Sequence, residues 1–323
     1  MNAKKAAHLA GALYRARFKN ESTPLVASVI LTNRCNLRCP YCGRWERPGD
    51  ELAPERWIAL VKELGDLGCV RLSVTGGEPL LFDGIDGILK TARQSGMRIN
   101  INTNGVLAPK KADTLALCDS VTISLDGTEV EHDAIRGKGT YDKAMNAARL
   151  AREMGKDLVF YTVLSRHNLQ VLEHVAQKAR ELGGKAFFQP GTYYDFDGIK
   201  KNPEAPEVPD YRRAIDELMR MKGSGYPIGN SKSGLRYLRQ WPDAAHLRCY
   251  GGKLFVRIEA DGKLRLCGRD GDPGEVSVAQ ASLAESIALL DEAGCTSCWS
   301  AARVEFNLLA GGNLGALLNF LVN

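Results

Sequence analysis

The sequence predicts an α/β protein, a partial (β/α)6 TIM-like barrel followed by a cysteine-rich extension. Over residues 25–191, short β-branched segments alternate six times with amphipathic segments. Such alternation requires a parallel sheet with right-handed helical crossovers. Six units are too few to close an eight-stranded barrel, so we expect an open barrel with its site at the carboxyl ends of the strands.

The predicted strands are rich in β-branched residues, as buried parallel strands are. They span residues 25–31, 70–75, 97–102, 120–126, 158–164 and 185–190. The first helix between them begins near Pro54, a residue favoured in the first helical turn. Its apolar stripe comprises Trp57, Leu60, Val61 and Leu64. Further helices are predicted at about 84–95, 108–117, 141–154 and 168–182.

The β/α pattern ends after residue 191. Two helices are expected at about 210–222 and 231–241, and Asp261-Gly262 is typical of a hairpin turn between two strands. The predicted domains are a basic helix over 1–24, the barrel over 25–191, a linker with helices over 192–245, a cysteine-rich domain over 246–300 and an apolar helix over 301–323.

Composition excludes several classes of protein. The 323 residues are 44% hydrophobic and 25% charged, which is ordinary for a globular chain. A net charge of +5 does not indicate a nucleic-acid partner, because a nucleic-acid module concentrates its charge in a stripe. No apolar run approaches the roughly 18 residues of a membrane span, and no clear signal peptide is present. We therefore expect a cytoplasmic protein with no nucleic-acid partner.

The nine cysteines carry most of the functional information. An odd number in a long, unsecreted chain argues against a disulfide framework. Seven fall into two groups that are typical of metal binding: Cys35, Cys39 and Cys42, and then Cys249, Cys267, Cys295 and Cys298. Cys69 and Cys118 lie beside buried-strand patterns and are predicted to be core residues.

The first group has the spacing C-x3-C-x2-C and follows the first strand. Three thiolates can bind three corners of a [4Fe–4S] cube, which leaves the fourth iron open because no nearby His or Cys completes the set. A closed structural zinc site is the alternative, and it would need a fourth ligand.

This loop resembles the signature of the radical S-adenosylmethionine (SAM) enzymes, and further motifs extend the resemblance over residues 28–190. The resemblance implies that Cys35, Cys39 and Cys42 bind a [4Fe–4S] cluster and that SAM binds to this cluster. Such enzymes cleave SAM reductively to methionine and a 5′-deoxyadenosyl radical, which abstracts a hydrogen atom from the substrate. A flavodoxin or ferredoxin is the expected electron donor.

The resemblance also assigns residues at the strand ends to SAM. The segment after the second strand is similar to the family segment that binds the SAM amino group; it comprises Gly76, Gly77, Glu78 and Pro79. Two glycines let the backbone approach the ligand, Pro79 holds Glu78 extended, and a carboxylate suits an ammonium group. The end of the third strand, Asn102-Thr103-Asn104-Gly105, looks like a second family segment, from which Asn102 and Thr103 are assigned to the site.

Three further positions match this family. Ser124 and Asp126 lie in the segment at the end of the fourth strand, where the Ser124 position contacts SAM. Arg136 matches the arginine that pairs with the SAM carboxylate, a task suited to the forked guanidinium. The alternative is a solvated arginine at a helix start. Tyr41 resembles the aromatic residue that lies along adenine.

The second cysteine group resembles Twitch, the shortened form of the SPASM domain, because its spacing is C-x12-G-x4-C followed by C-x2-C. That resemblance implies a second, auxiliary [4Fe–4S] cluster held by Cys249, Cys267, Cys295 and Cys298. Four cysteines equally suit a zinc ribbon, and a site without metal also stays open.

We expect a biosynthetic oxidoreductase that acts on a small molecule, as in aminocyclitol dehydrogenases, with the auxiliary cluster as electron acceptor. The alternative is maturation of a ribosomally made peptide, against which we count the short segment before the first strand. The GTP cyclase of molybdopterin synthesis is nearly excluded, because its C-terminal cysteines occur in the reverse order. From another class, a non-catalytic iron–sulfur or zinc redox sensor stays open. No catalytic residue is assigned.

The two ends of the chain carry apolar stripes. One stripe comprises Leu314, Leu317, Leu318 and Leu321, and the basic N-terminal segment surrounds Leu9, Leu13 and Phe18. Both segments are expected to pack on the barrel. The alternative is a basic amphipathic surface that makes peripheral contact with a membrane or a lipid-like substrate.

Overall fold

The computed structural model describes residues 3–47, 49–191, 202–243, 245–266, 276–290 and 297–322. These residues form a nine-stranded sheet in the order β6-β5-β4-β3-β2-β1-β7-β8-β9. The strands are β1 (Val26–Ile30), β2 (Arg71–Thr75), β3 (Arg98–Thr103), β4 (Ser120–Ser124), β5 (Asp157–Leu164), β6 (Lys185–Pro190), β7 (Phe255–Ile258), β8 (Lys263–Arg265) and β9 (Val276–Ser277).

The described helices lie before, between and after the strands of the barrel. They are α1 (Ala3–Tyr14), α2 (Pro54–Asp66), α3 (Ile85–Gln94), α4 (Ala112–Ala116), α5 (Glu129–Arg136), α6 (Thr140–Glu153), α7 (Leu172–Glu181), α8 (Val208–Gly223), α9 (Lys232–Leu238), α10 (Leu283–Ala288), α11 (Ala301–Ala310) and α12 (Leu314–Val322). A five-residue π-helical turn, Arg15–Lys19, continues α1. Within the described ranges, no helix has the length and apolarity needed to cross a bilayer.

The open parallel barrel predicted from the sequence is confirmed. Strands β1 to β6 pair in parallel and in sequence order, so successive crossovers advance in one direction around the sheet. The apolar face of α2 is buried on this sheet, as its stripe predicted. Cys69 and Cys118 are buried in the same core, and burial raises the pKa of each thiol to about 12.

The cysteine-rich extension continues the barrel sheet. Strand β7 pairs in parallel with β1, in the register Val26↔Phe255 to Val29↔Ile258. The hairpin predicted at Asp261-Gly262 joins β7 to β8 in antiparallel register. Because β7 runs beside β1, its carboxyl end lies next to the loop that carries the first three cysteines.

Some details of the prediction are wrong. The helix expected over residues 301–323 is two helices, α11 and α12, because the chain turns at Gly311–Asn313, where Gly312 has a φ of +82°. The helix expected from residue 168 begins at Leu172. Helix α5 was not predicted, because its eight residues are too few for a clear periodic signal.

Candidate SAM and iron-sulfur site

The three predicted cluster ligands lie in the loop after β1, at the carboxyl end of the barrel. Cys39 is buried, and Cys35 and Cys42 are half-buried. The Cys42 amide donates to the Cys39 carbonyl (3.0 Å), which turns the chain between these two ligands. In the described part of the chain, no three His, Cys, Asp or Glu side chains converge on one metal ion. A cube has a different requirement, because each thiolate binds a separate iron.

Hydrogen-bond donors surround the sulfur atoms of this loop. The Leu37 amide lies 3.4 Å from the Cys35 Sγ, and the Asn104 Nδ2 lies 3.9 Å from the same sulfur. The Arg136 Nη1 lies 3.9 Å from the Cys39 Sγ. Donors and a cation near sulfur stabilise the thiolate form and tune an iron–sulfur cluster. The residues present therefore fit a cluster with three thiolate ligands.

Burial raises the pKa of the Cys35 and Cys39 thiols. The Leu37 hydrogen bond opposes this rise at Cys35, and the Arg136 charge opposes it at Cys39. Both thiols are therefore protonated at neutral pH in the folded chain without metal, and metal binding must release these protons.

The Gly76-Gly77 pair packs against the cysteine loop. The Gly77 amide donates to the Thr32 carbonyl and the Glu78 amide donates to the Arg34 carbonyl, each over 2.8 Å. A Cβ on Gly76 would lie 2.4 Å from the Thr32 oxygen, and one on Gly77 would lie 2.3 Å from the Arg34 oxygen. Glycine is thus required at both positions because the two loops meet there. The sequence analysis expected a different reason, namely that glycine lets the backbone approach SAM.

The Glu78 carboxylate is fully buried and joins the ends of β2 and β3. It accepts hydrogen bonds from the Thr103 hydroxyl (2.8 Å), the Asn104 amide (2.8 Å) and the Leu80 amide (3.2 Å). Burial raises the pKa of Glu78 to about 7, although these three bonds oppose the rise. Glu78 is extended before Pro79, as expected. The Glu78 side chain therefore holds the ends of these two strands together.

Asn104 lies in the segment recognised at the end of the third strand, but the sequence analysis did not assign it to the site. Its side-chain amide donates to the Asn36 Oδ1 over 2.8 Å, so it links the β3 end to the cysteine loop. The available signal was its position directly after Asn102 and Thr103. The Asn102 side chain instead faces β2 and donates to the Ser73 Oγ over 3.4 Å.

Arg136, Asp126 and Tyr41 form one connected group beside Cys39. The Arg136 Nε lies 2.6 Å from the Asp126 Oδ2, and the Tyr41 hydroxyl donates to the same oxygen over 2.7 Å. The Arg136 Nη2 donates to the Tyr41 hydroxyl oxygen over 2.5 Å. The side chains of Arg136 and Asp126 are 8% and 0% exposed, so the alternative of a solvated arginine is wrong.

Asp126 is held from several sides. Its Oδ1 accepts from the Val163 amide on β5 over 3.0 Å, and its own amide donates to the His132 Nδ1 over 3.2 Å. Burial lowers the pKa of His132 to about 4, so this ring is neutral and its Nδ1 accepts. The structural roles of His132 and Val163 were not predicted, because both contacts depend on packing between separate elements. Ser124 is half-buried and is the last residue of β4.

The second cysteine group is only partly described. Cys249 and Cys298 are half-buried, whereas Cys267 and Cys295 lie outside the described residues. The Gln189 side chain on β6 bonds to the Trp299 carbonyl (3.0 Å) and the Ala301 amide (2.8 Å). These bonds hold the segment with Cys298 against the edge strand of the barrel. The ligand set predicted for an auxiliary cluster stays a prediction.

The fold and the site together define a class of enzyme. An open parallel barrel carries a three-cysteine loop at the end of its first strand, and polar side chains line the neighbouring strand ends. The Radical SAM superfamily model matches residues 29–179. The chain belongs to the radical SAM superfamily, whose members use a [4Fe–4S] cluster and SAM. The resemblance and these two cofactors are confirmed.

Similar proteins match well beyond residues 29–179. The PqqA peptide cyclase of Gluconobacter oxydans is 30% identical over 261 residues, which cover 76% of this chain and 70% of that protein. The pre-heme d1 synthase of Dinoroseobacter shibae is 29% identical over 242 residues, which cover 68% of this chain and 60% of that protein.

Solved structures show the same fold. SuiB of Streptococcus suis, bound to its precursor peptide SuiA, superposes with a TM-score of 0.68 at 17% identity. The superposition covers 90% of this chain and 68% of that chain, so it includes most of the extension as well as the barrel. SuiB has also been solved with SAM bound.

Proposed function

We propose that this protein is a radical SAM enzyme that modifies a peptide substrate. The observation that carries the proposal is the extent of the match to PqqA peptide cyclases, which covers 76% of this chain and so includes residues outside the shared SAM-binding barrel. The fold neighbour SuiB, solved with a peptide bound, supports it. This reading replaces the small-molecule oxidoreductase as the favoured function.

Different residues of the site bind the cluster and SAM. Cys35, Cys39 and Cys42 hold the cluster. When bound, the cluster supplies the electron that cleaves SAM into methionine and the 5′-deoxyadenosyl radical that abstracts hydrogen from the substrate. Glu78 offers its carboxylate to the SAM ammonium group. Arg136 donates its remaining N–H groups to the SAM carboxylate.

Neighbouring residues fix the positions of the SAM-binding side chains. Asp126 and Tyr41 fix the Arg136 guanidinium, because both contact it within a buried group. Asn104 and Thr103 fix Glu78 in the same way at the next strand end. Ser124 lies between these two groups along the strand ends and is the remaining proposed SAM contact. Side chains held in this way orient SAM without rearranging during the reaction.

We further propose that Cys249, Cys267, Cys295 and Cys298 hold an auxiliary [4Fe–4S] cluster. Abstraction of one hydrogen leaves a substrate radical, and forming a new bond within the peptide requires loss of one more electron and one proton. An auxiliary cluster would accept that electron. A flavodoxin or ferredoxin stays the proposed donor of the first electron.

The test is mass spectrometry of short precursor peptides encoded beside this gene. Each peptide is incubated anaerobically with reconstituted protein, SAM and dithionite. The expected result is peptide-dependent formation of 5′-deoxyadenosine and a product lighter by two hydrogen atoms.

A second candidate is a small-molecule oxidoreductase, which the match to pre-heme d1 synthase favours. Stimulation of 5′-deoxyadenosine formation by a tetrapyrrole or an aminocyclitol, and by no peptide, would support this candidate and contradict the first.

A further inference from the structure

Exposed apolar side chains are concentrated on two helices. Seven large apolar residues are strongly exposed within the described part of the chain. Five of them define what we call the α1–α12 patch: Tyr14, Phe18, Leu314, Leu317 and Leu318. The other two, Val130 and Leu289, lie singly on other elements. Single exposed residues are ordinary, whereas a group of them marks an interaction surface.

Helix α12 presents three leucines of its apolar stripe, Leu314, Leu317 and Leu318, to solvent. Leu314 is 73% exposed and Leu318 is 62% exposed, whereas Ala316 is 3% exposed. The inward face is small and polar: Gly315 abuts Ser233, where a Cβ would lie 2.3 Å from the Ser233 Oγ. A surface helix normally buries its apolar face, so the orientation of α12 is reversed. The expectation that this stripe packs on the barrel is therefore wrong for the described leucines.

The N-terminal helix repeats this arrangement. It packs through Ala12 and Ala16, which are fully buried, and turns Tyr14 and Phe18 outward at 55% and 65% exposure. The two exposed rings lie 5.3 Å apart. Leu9 and Leu13 are partly buried on the barrel side, where the expected packing is confirmed.

The end of the N-terminal helical segment meets the turn that precedes α12. The Arg17 guanidinium lies against the turn that leads into α12, because a Cβ on Gly312 would be 3.0 Å from its Nη1. Arg17 also receives a hydrogen bond from Arg248, whose Nη2 lies 3.4 Å from the Arg17 carbonyl oxygen. Arg17, the neighbour of Phe18, thus lies against the turn from which the leucines of α12 follow.

Cations border the α1–α12 patch. They are Arg15, Arg17, Lys19 and Arg248, whereas Glu21 is the acidic residue paired with this group, 4.0 Å from Arg15. Apolar side chains flanked by arginine and lysine are the features that bind the surface of an anionic bilayer. A second copy of the chain would bring the same cations against each other across a two-fold axis.

From these observations we propose that the α1–α12 patch docks the protein onto an anionic lipid membrane. The patch lies beside the amino ends of the strands. His8 on α1 bonds to the Gly68 carbonyl, ahead of β2, over 2.9 Å. Asn319 on α12 bonds over 3.0 Å to the Gly229 carbonyl, and the neighbouring Ile228 forms a bridge with Ala186 near the start of β6. The cysteine loop lies at the opposite, carboxyl ends. Docking therefore leaves the SAM site uncovered.

The test is co-sedimentation of the reconstituted full chain with vesicles. Equimolar phosphatidylglycerol and phosphatidylcholine vesicles are compared with pure phosphatidylcholine vesicles. The parent should bind the anionic vesicles at least about ten-fold more tightly, and the binding should weaken as salt screens the charges. The triple variant Leu314→Ser, Leu317→Ser and Leu318→Ser should lose at least about ten-fold in vesicle affinity.

Leu289→Ser is the matched control, because Leu289 is 68% exposed but lies outside the patch. This control should bind as the parent does. Dithionite-driven SAM cleavage should be the same in the parent, the triple variant and the control. Equal cleavage shows that the variants are folded, and it makes the test of membrane docking independent of the proposed peptide substrate. Equal binding by parent and triple variant, or no preference for anionic vesicles, would overturn the proposal. A dimer in sedimentation that the leucine substitutions abolish would also overturn it, since the patch would then join two copies.

Discussion

Arg44 and Glu259 form a buried ion pair, with 3.0 Å between the Arg44 Nη1 and the Glu259 Oε2. The two residues are 215 positions apart in the sequence, and their side chains are 3% and 6% exposed. Arg44 follows the cysteine loop directly, and Glu259 follows β7. The Arg44 Nη1 also donates to Asn33 within that loop over 2.9 Å. The pair therefore fixes the position of the cluster loop against the first strand of the extension.

Replacing Arg44 with Met should lower the free energy of unfolding by about 3 kcal/mol, because it leaves the Glu259 carboxylate buried with less compensation. Urea denaturation under anaerobic conditions measures this. Arg213→Met is the control, since that arginine is 73% exposed and its loss should change stability by no more than about 0.5 kcal/mol. Equal effects of the two substitutions would show that the buried pair does not stabilise the fold.

Replacing Cys35, Cys39 or Cys42 with Ala should abolish SAM cleavage, because each thiolate binds one iron of the cluster. The measurement is formation of 5′-deoxyadenosine with dithionite, together with iron content. Cys69→Ala removes a thiol from the core and should leave both unchanged. Normal cleavage in any of the three loop variants would exclude that cysteine as a cluster ligand.

Replacing Arg136 with Ala should weaken SAM binding by about 2 kcal/mol, the scale of a charge-assisted hydrogen bond to a carboxylate. Asp126→Asn keeps the guanidinium but removes its anionic anchor, so we expect a smaller loss, about 1 kcal/mol. Isothermal titration of reconstituted protein measures both. Arg149→Ala, an exposed change on α6, is the control. A folded Arg136→Ala protein that binds SAM like the parent would leave Arg136 with a purely structural role.

Acidification should destabilise the protein through His132. The pKa of His132 is about 4 when folded and near 6.5 when unfolded, so the unfolded chain takes up a proton first as the pH falls. The free energy of unfolding that depends on His132 therefore falls progressively from about pH 6.5 to pH 4. Below pH 4 this residue causes no further change in stability. His132→Gln cannot titrate. Between pH 7 and pH 5 the parent should lose about 2 kcal/mol more than this variant in urea denaturation. Parallel pH profiles would contradict the buried, neutral ring.

Replacing Cys298 with Ala tests the auxiliary cluster. Iron content should fall from about eight to about four per chain, because one of two cubes is lost. SAM cleavage by dithionite should persist while turnover of the true substrate falls to near zero. Cys118→Ala, which removes a buried core thiol outside both cysteine groups, should retain both cubes. Retention of about four iron with one zinc in the parent would instead assign the second group to zinc.

The order of strands and the position of the first cysteine group could be predicted because both depend on local patterns. Residues that alternate between buried strands and amphipathic helices leave a periodic signal in the sequence, and a motif directly after a strand lies at the carboxyl edge of a parallel sheet. Glu78 and Arg136 could be recognised in the same way, from short motifs. Asp126 was also recognised from its motif, but the contacts of Asn104 with Glu78 and of Asp126 with Arg136 could not be predicted, since they form only after separate β/α units pack together.

The sequence by itself therefore determined the barrel, the cysteine loop and the superfamily. Only the tertiary structure decided that β7 pairs with β1, that Arg44 meets Glu259 across 215 positions, and that Leu314, Leu317 and Leu318 of α12 face solvent. The apolar period of α12 shows that one face is apolar, but not whether that face meets the barrel. The direction is set by what lies on the opposite face, where Gly315 and Ala316 allow close packing against α9 that the larger leucines would not permit.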